Sequence, residues 1–523
     1  MEVHIKGFLK FGIFLVFIGI SIFKVDMVTF DMDEMIITEN ISLPFSVYFD
    51  TNSSYGPYLK ISHWFSENFL GGGPATWRVI SLLSYLGLCY FIFQFFSNRK
   101  LNYLAVACLM LIAILHYPNH YARWGMTAYM LSTFLLFLSF YYLYRQQCKL
   151  PSIPKLALFS IAVISLLGFV YVGEMIGFFA LLCSYVLMHL VARNRAQYIS
   201  YLAAALVSGF GIILITYLYS NYIGQGLEPR TSIKRFYYPL SNIESEWIFF
   251  IKGFKNIFQQ GFKVQHFLSL YTLLFVGASI FLCCFLQAQK KADDLKRIIK
   301  VLALWGVVSI LSLYILSLLG KAPYGDVRYS KVLIWLLPVL ACCGLTLVFQ
   351  KALYVLNIGA LGERQLQTLR VLWAAVSTVA LIQLCYEVTD YRAKQYQGFK
   401  SLEKAITQNA DLYIVDELHK FSFDYLNPNK PKVVMSRGYP CENGKFWNAY
   451  GWNNCEDMLT KVSEQSKAKI LSENVKKIVL VSRGPFNRKY YSNWFDVVIE
   501  QGEFKPSKAT RYSGPYVYSL TKR

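Results

Sequence analysis

Apolar runs, repeated along most of the chain and separated by small clusters of Lys and Arg, limit what this sequence can become more than any motif does. "LNYLAVACLMLIAIL" at 101–115 and "MLSTFLLFLSFYYLY" at 130–144 are long enough, with their flanks, to cross about 30 Å of hydrocarbon as helices. Only 16% of the 523 residues are charged, where a soluble domain has about 25%, and 55% are hydrophobic. The expected fold class is an all-α polytopic membrane protein.

About eleven spans are expected: 8–25, 76–96, 101–117, 126–144, 156–172, 175–192, 198–219, 267–288, 300–319, 331–349 and 370–387. The first contains Lys10 and is followed by "FKVDMVTF", with no small-x-small cleavage pattern. It reads as a retained helix whose Lys10 snorkels to the interface, not as a signal peptide. With the N-terminus in the cytoplasm, the short cytoplasmic ends and loops hold 17 Lys and Arg. The short outside loops hold seven: Lys24, Lys60, Arg78, Arg123, Lys321, Arg328 and Lys331. The positive-inside rule favours that orientation, and an odd number of spans then puts the C-terminal tail outside. The net charge of +21 is distributed as such topological signals, with no single patch or aromatic-interleaved groove. Nucleic acid is therefore not an expected partner, whereas membrane lipids are.

Three extramembrane pieces exceed simple connectors. The loop 26–75 holds an acidic cluster. The loop 220–266 ends in a stretch whose Trp247, Phe250, Phe254 and Phe258 are spaced for one face of an interfacial helix. The tail, 390–523, changes to soluble character, which divides the chain into a membrane domain, 1–389, and an extracytoplasmic domain, 390–523. In the tail "DLYIVD", "KKIVLVSRG" and "YVYSL" read as strands and "EDMLTKVSEQSKAKILSEN" as a helix, so a small α/β domain is expected. Cys441 and Cys455 are the tail's two cysteines, and a disulfide between them is expected to contribute roughly 3 kcal/mol. Two buried thiols are the other reading. Trp447, Tyr450 and Trp452 between them suit either sugar stacking or packing of that loop.

Nucleotide chemistry has no visible home. There is no Walker A loop and no dinucleotide fingerprint, and the seven histidines show no metal-ligand spacing. "LGGGPATW" at 70–77 leads into a span and reads as a flexible turn rather than a phosphate cradle. The acids Asp31, Asp33 and Glu34 stand just after the first apolar segment, in a chain with 52 Lys+Arg against 31 Asp+Glu. A carboxylate there can act as general base toward an acceptor hydroxyl, with a second acid raising its pKa or orienting the acceptor. A solvated acidic cap on an interfacial helix is the competing reading. Arg328, Arg123 and Lys321 stand at outside ends of spans, where they can meet a lipid phosphate or simply anchor at the interface. Glu174 lies in a very short turn between two spans, either salt-bridged to a neighbouring helix or functional. Asp326 is a third carboxylate or a partner of Arg328.

The order of these features resembles the GT-C superfamily of polytopic glycosyltransferases, in the branch of the protein O-mannosyltransferases and bacterial aminoarabinose transferases. Asp33-Glu34 matches that family's acidic pair in a long first outside loop. Gly56-Pro57-Tyr58 stands where its Pro-containing turn often reads Pro-Pro-Leu, Arg78 matches the Arg that opens the second span, and Arg328-Tyr329 with "WLLPVL" matches an Arg-Tyr pair before a late Leu-Pro span. The resemblance covers residues 1–350 and leaves the tail unmatched. It implies a polyprenyl-phosphate-sugar donor, Asp33 or Asp31 as the base, inversion at the anomeric carbon, and cations on the departing lipid phosphate. Arg78 is expected to order the first loop, and 220–266 to be either a lid over the donor or an anchor. No cofactor is required, although a divalent metal could bridge the acids. Size, basic balance and a separate soluble tail are similar to O-antigen-modifying glucosyltransferases of serotype-converting phages and their hosts. Glucose and lipopolysaccharide O-antigen, at a bacterial inner membrane, are the corresponding expectations. The alternatives are a transporter or flippase of lipid-linked sugars and an O-antigen polymerase or ligase. Transporters usually show repeats and paired broken helices, which the sequence lacks, and a polymerase or ligase leaves the first-loop acids unexplained.

Overall fold

Apolar stretches become helices whose ends are set by the residues flanking them. The computed structural model describes residues 58–72, 74–112, 129–146, 152–222, 245–261, 270–286, 292–325, 332–355 and 362–407 of the helical part. In the tail it describes 409–416, 423, 429–435, 445–448, 451–454, 462–482, 486–506, 510–511 and 516–523. The chain divides into two compact units, with the boundary between Thr389 and Asp390.

The helical part runs α1 (Tyr58–Phe69), α2 (Pro74–Ser97), α3 (Asn102–Ile112), α4 (Tyr129–Gln146), α5 (Ile153–Val170), α6 (Met175–Val191) and α7 (Arg195–Tyr222). It continues with α8 (Glu246–Gly261), α9 (Leu270–Leu286), α10 (Ala292–Leu318), α11 (Val332–Val355) and α12 (Glu363–Ile406). Among the described residues, seven helices are long and apolar enough to cross a membrane: α2, α5, α6, α7, α10, α11 and α12. They fall on seven of the expected spans. The expected spans at 101–117 and 267–288 correspond to shorter apolar helices, Asn102–Ile112 and Leu274–Leu286. The one at 126–144 is the Tyr-rich α4, and 8–25 lies outside the described residues.

Two helices outrun the apolar stretches that located them. Helix α10 starts at Ala292, because its first turns carry Asp293, Asp294 and Lys296, and Lys296 Nζ lies 3.5 Å from Asp293. Such i,i+3 pairs sustain a helix in water, where hydropathy has stopped signalling it. Helix α12 spans 44 residues and passes through the unit boundary without a break, since no proline interrupts it.

The core of the helical unit is aromatic. Trp305 and Trp335 are fully buried, with ring centroids 5.3 Å apart and edge to face. Phe140 stacks on Trp305 at 5.7 Å. A buried indole N–H needs an acceptor, and Trp305 Nε1 donates to the Gly177 carbonyl at 2.9 Å, tying α10 to the first turn of α6.

The second unit holds a mixed sheet of order β2-β1-β5-β8-β6, with β7 also pairing β8. Its strands are β1 (Leu412–Asp416), β2 (Lys432–Met435), β5 (Lys477–Ser482), β6 (Phe504–Pro506), β7 (Thr510–Arg511) and β8 (Tyr516–Lys522). Strands β2, β1 and β5 run parallel, and β8 is antiparallel to β5. The two central parallel strands carry unbroken apolar runs, Leu412–Val415 and Ile478–Val481, that are buried, as expected of strands covered on both faces. Alternation sends Leu412, Ile414, Ile478 and Leu480 into one core, and Tyr413, Val415, Val479 and Val481 into another. The helix expected at 456–474 is seen as α13 (Glu464–Leu471), because Ser463 caps it: its hydroxyl accepts from the Ser466 N–H at 3.2 Å. Helix α14 is Arg488–Phe495, and a separate two-stranded ladder pairs β3 (Lys445–Asn448) with β4 (Gly451–Asn454).

Candidate functional site

The expected site residues that the structure describes stand at the corners of the helical unit. Tyr58 opens α1, at the end away from the turn into α2, and Arg78 lies in the first turns of α2, just beyond that helix-turn-helix corner. The corner is built on "LGGG". Gly71 and Gly72 have φ of 82° and 67°, a region costly for residues with a Cβ. The N–H groups of Leu70 and Gly72 both reach the Ser66 carbonyl at 3.1 Å and close the end of α1. The glycines expected to supply flexibility instead supply a defined left-handed turn.

Two side chains that sequence reasoning passed over lock this corner. Glu67 accepts a hydrogen bond from Trp77 Nε1 at 2.6 Å, and His63 stacks on the Trp77 ring with centroids 5.0 Å apart. His63 Nε2 also lies 3.7 Å from Glu67. Burial lowers the His63 pKa against the opposing pull of Glu67, so this contact is mainly one to a neutral imidazole at neutral pH. The i,i+4 spacing of His63 and Glu67 in "HWFSENF" was the available signal.

Burial pushes the Tyr58 phenol well above its ordinary range, outweighing the lowering from its hydrogen bond with Ser62. It therefore remains a protonated donor at any physiological pH. Arg78 is 1% exposed. The guanidinium is thus enclosed by protein rather than set on an open surface.

Glu174 ends the 3-10 turn Val172–Glu174 between α5 and α6 and is 1% exposed. Its carboxylate folds over the N-terminus of α6, with Oε2 3.3 Å from where a Cβ on Gly177 would stand. Tyr171, one residue beyond α5, meets Tyr129 edge to face at 5.0 Å, which joins this turn to the start of α4.

Lys321 is exposed, three residues beyond the end of α10. Its N–H donates to the Leu316 carbonyl at 2.8 Å, with Gly320 at φ 67° just before it. The loop then packs on α8. The packed side of α8 is Phe249, Gly253 and Ile257, while Trp247, Ile248, Ile251 and Phe254 remain exposed. Of the residues expected to share one face, Trp247, Phe250, Phe254 and Phe258, the first three have described side chains. Those three rings do stack in succession, at 5.7 and 6.4 Å, but Phe250 also stacks on Tyr324 at 5.8 Å. Helix α8 is apolar on two sides, one against protein and one open.

Asp31, Asp33, Glu34, Arg123, Arg328, Asp326, Cys441 and Cys455 lie outside the described residues. Every described cysteine is a free thiol, and no group of three or more His, Cys, Asp or Glu suited to a metal ion occurs among the described residues. Trp447 and Trp452 are directly opposite each other in the β3–β4 ladder.

No family model matches the sequence, and no curated protein matches it. A solved structure does: the crystal structure of ArnT from Cupriavidus metallidurans bound to undecaprenyl phosphate. The match has a TM-score of 0.54 and 13% identity, covering 98% of this chain and 97% of that one. Over nearly its whole length, the tail included, the chain is similar in fold to that ArnT.

Proposed function

We propose that this chain is an inverting glycosyltransferase of the GT-C type, moving a sugar from a polyprenyl-phosphate donor to a glycan at the outer face of a bacterial inner membrane. The observation that carries the reading is the end-to-end likeness of fold to a protein solved with undecaprenyl phosphate bound. It extends the resemblance read from residues 1–350 through the tail, which we read as an extracytoplasmic α/β domain. Among the described residues, seven helices apolar enough to span a membrane are consistent with a multi-pass protein meeting a lipid-borne donor.

In the proposed reaction Asp33 or Asp31 takes the proton from an acceptor hydroxyl, with Glu34 beside it. The hydroxyl oxygen bonds to the anomeric carbon as the bond from that carbon to the lipid phosphate breaks, inverting the configuration. Negative charge collects on the departing phosphate, and Arg328, Arg123 and Lys321 are proposed to stabilise it. Tyr58, held protonated by burial, offers a hydrogen-bond donor beside the first loop. Arg78 and Glu174, both enclosed, order the scaffold. The donor sugar is proposed to be glucose and the acceptor lipopolysaccharide O-antigen, on the narrower resemblance alone. No step is routed through a metal.

Membranes bearing wild type, Asp33→Asn, Asp31→Asn or Arg328→Ala, supplied with a panel of polyprenyl-phosphate sugars and O-antigen, test this. The reading expects one sugar to be transferred, and transfer to vanish in one of the Asp variants at normal protein accumulation. Transfer retained in both Asp variants overturns the base assignment.

A further inference from the structure

The contact between α8 and the loop after α10 is closer than side-chain packing allows. A Cβ built on Gly325, which has φ +91°, would stand 2.8 Å from the Gly253 Cα and 3.2 Å from its carbonyl oxygen. A Cβ on Gly253 would overlap the Tyr324 ring. Each glycine is therefore required by the other strand of the contact, and the two backbones touch directly. Tyr324, fully buried, fills the remaining space: its hydroxyl donates to the Phe250 carbonyl at 3.1 Å and its ring stacks on Phe250 at an interplanar angle of 10°. Tyr314 of α10 packs edge to face on Tyr324 at 5.5 Å and donates to the Glu246 carbonyl at 3.3 Å. Both hydroxyls thus bond the backbone of one helix, four residues apart, from the two sides of the Gly320 turn.

We propose that Gly253, Tyr324 and Gly325 form a clasp that fixes Lys321 relative to α8, and that Tyr324 is a positioning residue for the donor's phosphate. This rests on the proposed reading of Lys321 as a phosphate-binding cation. The open side of α8, with Trp247, Ile248, Ile251 and Phe254 exposed, has the composition of a helix seated at a lipid interface. Lys252 and Lys255 on it are also exposed. A lysine clasped to such a helix is held at headgroup depth, where a lipid phosphate lies. Unclasped, its loop and flexible side chain would have to be ordered anew on each binding event.

The test uses the full chain in nanodiscs with undecaprenyl phosphate as the probe. It compares wild type with Gly253→Ala, Tyr324→Phe and Lys321→Ala, with Gly277→Ala as control, since a Cβ on Gly277 meets nothing within 4 Å. Affinity for the lipid and hydrogen exchange of the α8 amides are read on the same samples. Gly253→Ala is expected to speed exchange in α8 and weaken lipid binding about tenfold. Lys321→Ala is expected to weaken binding similarly without changing exchange, and the double variant to be little worse than either alone. Tyr324→Phe, which keeps the ring and loses one hydrogen bond, should fall between wild type and Gly253→Ala in both readouts. Faster exchange with unchanged affinity overturns the positioning role while leaving the lipid-donor reading standing. Unchanged exchange in Gly253→Ala overturns the clasp itself. A wild type that does not bind undecaprenyl phosphate overturns the donor reading, and the positioning role falls with it.

Discussion

Glu67→Ala removes the hydrogen bond from Trp77, a bond of about 1.5–3 kcal/mol when one partner is charged. The Glu67 side chain is 43% exposed, so solvent screening reduces that to about 1 kcal/mol. Gly72→Ala has two consequences. Its φ of 67° costs a residue with a Cβ about 1–2 kcal/mol. The new Cβ would also lie 2.6 Å from Glu67 Oε2, displacing the carboxylate and losing the same bond. Gly72→Ala should therefore cost about 2–3 kcal/mol, and the double variant about the same, because the bond is lost only once. Independent effects would instead sum to about 3–4 kcal/mol. The amides of residues 70 and 72, both bonded to the Ser66 carbonyl, report opening of the α1–α2 corner directly by native-state hydrogen exchange. A coupling of about 1 kcal/mol, or roughly fivefold in exchange rate, is expected. Additivity within about 0.5 kcal/mol would refute the claim that the two residues share one interaction.

Three further outcomes follow from particular contacts. Burial holds His63 below its ordinary pKa of 6.5, so the stability it contributes is present above pH 6.5 and is lost as pH falls toward and through its folded value. Protection factors at the α1 corner, which remove the intrinsic pH dependence of amide exchange, should fall on acidification in wild type and lose that dependence in His63→Phe. Trp305→Phe removes the indole donor from the Gly177 carbonyl, which keeps its place in the α6 ladder, and should destabilise the full chain by about 0.5–1.5 kcal/mol in a detergent unfolding titration; a change within error would show that the bond is dispensable. In the tail, Asp411 accepts two backbone N–H groups, from Lys477 and Lys476, each at 2.8 Å, and these hold its carboxyl below the ordinary 3.8. Its contribution is present above that value and lost as pH falls through the lowered one, so Asp411→Ala should flatten the acid limb of the tail's unfolding curve.

The spans could be read because hydrocarbon imposes a length and a polarity that twenty residues reveal. Their ends could not. The charged first turns of α10 and the long continuation of α12 are helical for reasons local to water, pairing and the absence of proline, to which hydropathy is blind. Strands β1, β5 and β8 showed as apolar runs, whereas β2, four residues long, was too short to stand out from a loop. Helix α8 was legible as amphipathic, but its pattern merged two apolar sides. Its glycine carried the missing information, since a glycine amid helix formers signals a close backbone approach. Glu67 and Trp77 were illegible for a different reason: they are ten residues apart, and only the turn through Gly71 and Gly72 brings them together.

Glycosyl transfer and transport are separated by reconstituting the purified chain in liposomes with single polyprenyl-phosphate sugars and O-antigen-bearing lipopolysaccharide on the outside, then following the sugar. For a transferase, one sugar is expected to become covalently joined to the glycan with its anomeric configuration inverted relative to the donor. A donor that crosses the bilayer with its sugar still attached, and no glycan product, would contradict that reading in favour of transport.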